Sequence, residues 1–571
     1  MHYRAEIDGL RALAIIPVML FHAGFATFSG GFVGVDVFFV ISGYLITTII
    51  VNDIESGRWS LMHFYERRAR RILPALVVVT LTTMMTGWFL LNPVDLAKLG
   101  NAMIGVATFT ANIVFAGDRG YFSEAGELNP LLHTWSLAVE EQFYIVFPVL
   151  LVLVWRLGKS RLLALMFVLS LMSLALSEWG WRNDPKDNFF LIWTRAWELL
   201  AGAMAAIIIQ QRGVQRHDGW AGLGLAAILL SVAWFDETTP WPSLATMVPV
   251  LGTALLVVFA GREAVVGRIL SHRFLVGIGL VSYSAYLWHQ PLLAYSRHFV
   301  GQIDLPMSIA CVALGLSLML AYLTWRFIET PFRTKDWMSR RVIVGAGVAG
   351  CAAIMATGQF TRGVSADIEH RLALELQDSA YVYVTNIDER KFNAARLTME
   401  LPAVDTVVVG SSRLMQVGSR TIGGEALNLS VSGASIEDLV AFAGQATADM
   451  RPKRLLVGID PWLFNQNAGQ DRWQSIEGLY QYWASVFANH MPLDDAKSKG
   501  DLSSLEPEPK QNLQTLLYDA INAGPSLAAD NGEYGLFGKK AQDGFLVSTI
   551  WSKPFVFETN RFSAKPTMPI G

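Results

Sequence analysis

Residues 8–25, DGLRALAIIPVMLFHAGF, contain an arginine and a histidine inside an otherwise apolar run. Arg11 and His22 are eleven positions apart, which on an α-helix corresponds to about three turns plus ~20° and a rise of roughly 16 Å. Both side chains are therefore predicted to lie on one face of one membrane span. A charge and a titratable ring are costly in hydrocarbon, so they usually face a protein interior or a wet cavity and mark a functional path. The pattern predicts chemistry at a membrane-embedded site.

The composition is typical of a protein that lies mostly within a membrane. Of its 571 residues, 52% are hydrophobic and only 16% are charged, whereas soluble domains average about 25% charged residues. The net charge of −3 is too small to indicate a polyanionic partner, and no basic tract interleaved with aromatic residues predicts nucleic-acid binding. The two cysteines lie in apolar runs and offer neither a disulfide framework nor a CxxC site. The N-terminus lacks a small-residue cleavage site, so we expect it to be an anchor.

Apolar stretches long enough to cross about 30 Å of hydrocarbon predict the membrane spans. Eleven of them fall near residues 9–28, 33–51, 72–91, 137–155, 161–178, 189–209, 220–235, 244–260, 274–296, 306–325 and 342–359. Basic residues concentrate in alternate loops, which places those loops and the N-terminus in the cytoplasm. The segment 92–132 is treated as an outer loop. An odd number of spans then puts the C-terminus outside.

The sequence changes character after about residue 363, where long apolar runs stop and charges recur every few residues. Strands are predicted at 406–409, 426–429 and 454–459, alternating with helical stretches, which favours an α/β domain with a parallel sheet. Polar loops follow the first and third of these strands. Because the loops after strand C-termini build the site in such sheets, we expect any function of this domain at that edge.

Five further motifs follow the opening stretch in order along the chain. They read GGFVGVDVFFVISGYLIT at 30–47, FYERRARRILP at 64–74, LLHTWSLAVEEQFY at 131–144, SYSAYLWHQP at 282–291 and WRFIETPFR at 325–333. On these motifs the chain resembles the acyltransferase family 3 integral membrane proteins over roughly residues 3–335. The resemblance implies transfer of an acyl group, usually acetyl from cytoplasmic acetyl-CoA, to a hydroxyl of a cell-surface polysaccharide such as O-antigen, with no metal required. The expected partners are acyl-CoA, membrane lipid and an envelope polysaccharide or lipid-linked glycan.

The resemblance also implies an organisation and a location. A membrane domain of about ten spans is expected over residues 1–335, an additional span and linker over 336–363, and an extracytoplasmic α/β domain over 364–571. The expected fold is thus a polytopic α-helical membrane domain followed by an α/β domain. The expected location is a bacterial inner (plasma) membrane.

Four residues of the membrane domain match functional positions of the family. The family's essential histidine falls on His22, its paired arginine on Arg11, and its Arg-x-x-Arg pair on Arg68 and Arg71. An imidazole can take a hydroxyl proton or carry an acyl group, and both roles stay open. Guanidinium groups bind phosphate bidentately, which suits CoA. The alternatives are an interhelical hydrogen-bonding role for the histidine, and cytoplasmic anchoring or lipid contact for the arginines.

Two carboxylates are weaker candidates in the same domain. Asp36 is expected to approach His22 and orient or stabilise its ring, with structural pairing to another polar group as the alternative. Glu140 is expected one helical turn beyond Ser136, at the outer end of its span, where it would bind the acceptor sugar or serve a structural role at the interface. His289 is a further, weaker candidate.

The C-terminal domain resembles the SGNH hydrolase-like module that is fused to many family members. Where that module carries Gly-Asp-Ser, this chain has Gly-Ser-Ser, so Ser412 stands in the nucleophile's place. Gly433 matches an oxyanion-binding glycine, and Asp460 stands where an asparagine would supply a second donor, although an ionised aspartate cannot donate. The family's late Asp-x-x-His is missing, and His490 has no aspartate three positions before it. A glycan-binding module, a divergent catalytic site and a chain that ends before its last block stay open, as do simple turn and capping roles.

Two other function classes are considered. A transporter or exporter of a glycan or small acidic solute, with an outer binding domain, would also carry polar groups in its spans, but no inverted repeat is visible. A glycan receptor or scaffold would leave His22 and Arg11 unexplained. The sequence therefore favours a membrane-bound O-acyltransferase.

Overall fold

The computed structural model describes residues 3–91, 93–117, 121, 124–300, 302–333, 338–365, 368–379, 381–384, 387–401, 403–460, 463, 472–488 and 555–558. The chain divides into two compact units, Met1–Ala366 and Asp367–Gly571. We call the first the membrane unit and the second the C-terminal unit. His490 lies outside the described residues.

The membrane unit is built from helices. They are α1 (Ala5–His22), α2 (Gly34–Glu55), α3 (Leu61–Leu90), α4 (Pro93–Thr108), α5 (Ala111–Ala116), α6 (Glu124–Glu127), α7 (Thr134–Val154), α8 (Lys159–Asn183), α9 (Pro185–Phe190), α10 (Ile192–Arg212), α11 (Asp218–Trp234), α12 (Met247–Phe259), α13 (Val265–Leu270), α14 (Arg273–Val300), α15 (Met307–Thr324), α16 (Thr330–Arg333) and α17 (Arg340–Ser365). Short 3₁₀ segments occur at Ala26–Phe28, Gly31–Val33, Trp155–Leu157 and Leu244–Thr246, and a π-helical turn at Trp325–Glu329 links α15 to α16.

Every one of the eleven predicted spans falls on a helix of this unit. Within the described residues, seven helices are long and apolar enough to cross a membrane, and they contain α2, α3, α7, α8, α10, α15 and α17. The other four predicted spans coincide with α1, α11, α12 and α14. Helices α11 and α12 are shorter than the seven, with 17 and 13 residues. Helix α1 is less apolar, because it carries Glu6, Asp8 and Arg11. The membrane unit is therefore a multi-pass helical assembly.

The segment 92–132, expected as one outer loop, contains α4, so the loop prediction was wrong there. Helix α4 packs closely against α17, since a Cβ built on Gly100 would lie 2.8 Å from the Gly358 carbonyl oxygen. With 16 residues, including Asp95 and Lys98, α4 is shorter than the ~20 apolar residues that predict a span. A helix of this kind is recognised only through its packing.

Helices α1 and α14 lie side by side along the site described below. A Cβ on Gly279 of α14 would be only 1.8 Å from the carbonyl oxygen of Asp8 on α1, so the two backbones touch there, as small residues allow in membrane helices. Further along both helices, His22 of α1 meets His289 of α14. The two helices therefore run in the same direction.

The C-terminal unit has mixed secondary structure. Its helices are α18 (Ile368–Asp378), α19 (Glu389–Leu397), α20 (Ser419–Ile422), α21 (Ile436–Met450) and α22 (Glu477–Ala488), and its strands are β1 (Tyr381–Val384), β2 (Thr406–Val409), β3 (Ala426–Asn428), β4 (Arg454–Val457) and β5 (Phe555–Glu558). Strands β3, β2 and β4 form a parallel sheet in that order, and β1 pairs with β5 antiparallel. The predicted parallel sheet is confirmed, with β3 and β4 ending slightly earlier than expected.

The core of this unit lies against the central strand. Val407 and Val409 of β2 are fully buried and pack in one cluster with Phe442 of α21. Helix α21 begins at a capping box in which the Ser435 hydroxyl accepts from the Asp438 backbone N–H at 3.3 Å. The three parallel strands end at one edge, so the loops that follow them are neighbours.

Candidate active site

His22 is the last residue of α1, and its side chain is only 3% exposed. Its Nε2 lies 2.7 Å from the Tyr121 hydroxyl. Its Nδ1 lies 3.2 Å from Nε2 of His289. Both ring nitrogens are therefore engaged in a buried network, which we call the histidine network.

The histidine network continues through α14. Nδ1 of His289 is 2.6 Å from the Tyr286 carbonyl oxygen. The ring of His133, at the start of α7, lies 5.3 Å from the rings of both His289 and Tyr286, centre to centre. His133 is 1% exposed, and neither of its ring nitrogens has a hydrogen-bond partner among the described residues. The two ring nitrogens of His133 can therefore hydrogen-bond to a group of the substrate.

Arg297 of α14 holds the end of α1 in place. Its Nη2 donates to the His22 carbonyl oxygen at 2.6 Å, and the same guanidinium pairs with Glu127 at 2.7 Å. A cation is favourable at a helix C-terminus, where carbonyl groups lack partners. Arg297 thus positions the backbone of the histidine.

Sequence reasoning missed most of this network. Tyr121 lies in the segment treated as an outer loop, and Arg297 carries no motif of its own. His289 could be recognised as a titratable group in an apolar stretch, but its partner could not. The contacts join residues 99, 267 and 275 positions apart, so they depend on how the helices pack.

Helix α3 carries an arginine tract that is divided between two faces of the helix. Its members are Arg67, Arg68, Arg70 and Arg71. Arg67 pairs with Asp53 at 2.5 Å. Arg70 pairs with Glu66 at 3.1 Å and donates to the Met338 carbonyl oxygen at 2.7 Å. These two arginines therefore hold the helix in the fold.

The remaining two arginines of the tract face Arg11. Arg71 lies within electrostatic range of both Arg11 and Arg68, and we call these three the arginine cluster. Arg11 pairs with Asp8 at 3.0 Å, and the Arg68 guanidinium lies 5.9 Å from the centre of the Tyr144 ring. Nε of Arg68 is buried without a hydrogen-bond partner among the described residues. Carboxylates lie within the same electrostatic range of the cluster, namely Asp8, Glu140, Glu141 and Glu329. The unused donor of Arg68, and not an excess of positive charge, is what favours an anionic ligand.

Glu140 lies beside the arginine cluster. It accepts hydrogen bonds from Ser42 at 2.9 Å and from Tyr144 at 2.7 Å, and it is within electrostatic range of Arg11 and Arg71. The expected place of Glu140 at the outer end of its span is corrected to a place about two turns inside α7, and its role in binding the acceptor stays a prediction. Helix α7 starts at the histidine network and runs toward the arginine cluster, so about two turns place Glu140 between the two, within electrostatic range of Tyr286 as well as of Arg11 and Arg71.

Asp36 does not hydrogen-bond to His22 in the described structure. Its carboxylate accepts from Arg195 Nη1 of α10 at 2.7 Å, and the same nitrogen pairs with Glu198 at 3.1 Å. The expected approach of Asp36 to the histidine is corrected to pairing with another polar group. The physical reason is that the first turn of α2 presents this side chain to α10 instead of α1.

The three candidates of the C-terminal unit follow the parallel strands. Ser412 comes after β2 and is exposed, Gly433 comes after β3 with φ of +55°, and Asp460 comes after β4. Asp460 pairs with Arg413 at 3.3 Å. Beside Ser412, the Ser411 hydroxyl accepts from the Arg413 backbone N–H at 3.4 Å. The edge thus gathers the three predicted residues.

The two groups in the membrane unit have complementary chemistry. The arginine cluster lies beside the first half of α1 and suits phosphate groups, while the histidine network at the end of α1 can move a proton or carry an acyl group. Within the described residues, no group of three His, Cys, Asp or Glu side chains could hold a metal ion. Such an arrangement within a multi-pass helical unit defines a membrane enzyme that transfers a group.

Comparison with known proteins identifies the group that is transferred. Residues 4–326 match the family described as "Acyltransferase domain". The peptidoglycan O-acetyltransferase OatA of Listeria monocytogenes is 30% identical over 68% of this chain and 67% of that protein. The O-acetyltransferase OatA of Staphylococcus aureus is 29% identical over 59% of this chain, and the putative O-acetyltransferase SAS0844 of that organism is 31% identical over 58% of this chain. The chain belongs to this acyltransferase family and is a membrane-bound acyltransferase.

The similarity does not extend over the whole of these proteins. The chain spans 58% of the length of each of the two Staphylococcus aureus relatives. No solved structure matches the chain.

Proposed function

We propose that this acyltransferase moves an acetyl group from acetyl-CoA to a hydroxyl of a cell-envelope polysaccharide. The observation that carries the proposal is that α1 carries Arg11 of the arginine cluster in its second turn and ends at His22 of the histidine network. Arg11 and His22 are separated by a rise of roughly 16 Å along this helix. A donor held by its phosphates at the cluster would extend its pantetheine arm along α1 and bring the thioester to the histidine. The unpartnered Nε of Arg68 supports an anionic ligand there.

His22 supports two routes that use the same ring nitrogen. As a base, it takes the proton of the acceptor hydroxyl while that oxygen bonds to the thioester carbon; the carbon–sulfur bond breaks, and the thiolate takes the proton. As a nucleophile, the ring nitrogen bonds to the acetyl carbon and the thiolate leaves, after which the sugar hydroxyl accepts the acetyl group and its proton passes to the thiolate. Both routes yield the acetyl ester and free CoA.

The topology belongs to the same proposal. We propose eleven crossings, a cytoplasmic N-terminus and an extracytoplasmic C-terminal domain over residues 364–571, in the inner (plasma) membrane of a bacterium. Alternate basic loops support this orientation. The arginine cluster then faces cytoplasmic acetyl-CoA, and the histidine network faces the outer half of the membrane.

The acceptor is proposed as a class of polymer. The name of the Listeria relative specifies peptidoglycan, which supports a cell-wall glycan, while the family resemblance also includes O-antigen. The C-terminal unit, proposed as an SGNH-like module, would hold this glycan, because Asp460, which stands where an oxyanion donor is expected, is paired with Arg413.

The test follows radiolabel from acetyl-CoA in membranes that contain wild-type, His22→Ala or Ser412→Ala protein at equal levels. Label is counted separately in peptidoglycan and in lipopolysaccharide, which identifies the acceptor. Loss of transfer in His22→Ala alone supports catalysis in the membrane unit with a glycan-holding C-terminal unit. Loss in both variants would make Ser412 a relay, and full transfer by His22→Ala would contradict the proposed mechanism. His370→Ala, an exposed position of the C-terminal unit, is the matched control.

A further inference from the structure

The hydrogen bonds of His289 determine which of its nitrogens carries the proton. Its Nδ1 lies 2.6 Å from the Tyr286 carbonyl oxygen, and a carbonyl oxygen can only accept. Nδ1 therefore carries the hydrogen. Among the described residues, no carboxylate lies within salt-bridge distance of the rings of His289 or His22, so a second proton on either ring would create a buried charge without a counter-ion. The neutral ring of His289 leaves Nε2 as an acceptor.

The same reasoning passes from His289 to His22. Nε2 of His289 is 3.2 Å from Nδ1 of His22. Because Nε2 of His289 is the acceptor of this hydrogen bond, Nδ1 of His22 must be the donor and carry the hydrogen. Nε2 of His22 then carries the lone pair and accepts from the Tyr121 hydroxyl at 2.7 Å. Each hydrogen bond in the chain fixes the next.

We infer that His289 is a positioning residue that holds His22 as the tautomer with its proton on Nδ1 and its lone pair on Nε2. This inference rests on the proposed function, since either route for acetyl transfer uses that lone pair. A substrate hydroxyl that donates to Nε2 would take the place of the Tyr121 hydroxyl. When Nε2 gains the proton, the Nδ1–H bond to His289 stabilises the charged ring, as the partner of a catalytic histidine does in other enzymes.

The arrangement explains why a second histidine is buried here without a charge partner. An aspartate in the place of His289 would also accept from Nδ1, but it would bring a negative charge into the membrane interior. A neutral imidazole, oriented by a backbone carbonyl, supplies the acceptor without that charge. Its neighbour His133 contacts the His289 ring without hydrogen-bonding to it, and so leaves the chain of bonds intact.

The kinetic test compares His289→Gln with His289→Leu in the full chain. The amide oxygen of glutamine can accept from Nδ1 of His22, whereas leucine cannot. With radiolabelled acetyl-CoA and membranes that contain their own envelope polysaccharide, we expect kcat of His289→Leu to fall at least about 100-fold, with KM for acetyl-CoA within about twofold of wild type. His289→Gln should keep kcat within about tenfold of wild type. His298→Gln, which changes a largely buried histidine about two and a half turns further along the same helix, is the control.

Equal losses in the glutamine and leucine variants, or a loss in KM instead of kcat, would overturn the inference. A second measurement uses the wild-type chain and needs no variant. It records ¹⁵N spectra of histidine-labelled protein in nanodiscs, in which the correlation between the two hydrogen-bonded rings identifies their signals. We expect a protonated Nδ1 and an unprotonated Nε2 on His22, and the opposite tautomer would refute the inference. The spectrum does not depend on donor or acceptor, so failure of the proposed function would appear separately, as a wild-type protein that does not use acetyl-CoA.

Discussion

Arg195 and Asp36 form an ion pair at 2.7 Å in which both side chains are 1% exposed. Glu198 shares the same guanidinium at 3.1 Å, and the cation also lies over the rings of Phe189 and Trp135. One cation therefore serves two buried carboxylates between α2 and α10. Such a group is costly to assemble and more costly to break, because each remaining charge would stay buried.

Removal of the cation should destabilise the protein more than removal of one carboxylate. Arg195→Leu leaves Asp36 and Glu198 buried without their partner, so we expect a loss of about 3–5 kcal/mol in unfolding free energy. Asp36→Asn leaves the pair of Arg195 with Glu198 and should cost less. Thermal unfolding of the purified protein in detergent measures both variants. An Arg195→Leu protein that is as stable as Asp36→Asn would show that the ion pairs contribute little.

The helices of the membrane unit were predictable because a span is a local feature of about 20 apolar residues. Helix α4 was missed because it is too short and not apolar enough to be recognised as a span. Its packing against α17 exists only in the assembled fold. In the C-terminal unit, the three parallel strands followed from local patterns, whereas β1 and β5 were not predicted. The order of β3, β2 and β4 depends on contacts that no local pattern specifies.

The candidate site was predictable where its residues share one element. Arg11 and His22 lie on α1, so helical geometry alone related them. The partner of Asp36 is 159 residues away and depends on which face of α2 packs against α10. The predicted position of Glu140 was wrong for a similar reason, because this position depends on the direction of α7 relative to α1.

The arginine tract offers a test with controls a few residues apart. Arg68→Ala and Arg71→Ala should each remove a charged contact to CoA worth about 1.5–3 kcal/mol, which raises KM for acetyl-CoA by about 10-fold to 100-fold. Arg67→Ala should leave KM unchanged, because Arg67 pairs with Asp53 outside the cluster. Initial rates over a range of acetyl-CoA concentrations give KM for each variant.

Dephospho-CoA refines this experiment. If the cluster binds the 3′-phosphate, wild-type protein should prefer CoA over dephospho-CoA as a competitor, and the Arg68 and Arg71 variants should lose that preference. An unchanged KM in both variants, with the protein folded, would assign these arginines to lipid contact or anchoring.

The contact between α1 and α14 should tolerate no side chain at Gly279. A Cβ there would lie 1.8 Å from the Asp8 carbonyl oxygen, so Gly279→Ala must push the two helices apart and should cost about 1–3 kcal/mol or more. Gly277→Ala is the matched control on the same helix, because nothing lies within 4 Å of its Cβ. Folded yield and acetyl transfer should fall together in Gly279→Ala only. Equal behaviour of the two variants would mean that the helices do not approach each other this closely.

His133 should contribute to activity without stabilising the fold. Its ring nitrogens are buried without hydrogen-bond partners among the described residues, so the imidazole adds no protein hydrogen bond to the free energy of unfolding. His133→Leu should therefore unfold at the same or a higher temperature than wild type, while acetyl transfer falls about tenfold or more because a group that contacts substrate or water is lost. Tyr286→Phe is the contrasting variant: it removes the hydroxyl that donates to the His133 carbonyl oxygen at 2.9 Å and should lower stability by about 1 kcal/mol. Thermal unfolding and transfer per folded molecule separate the two effects. A destabilised His133→Leu with normal transfer would make His133 a structural residue.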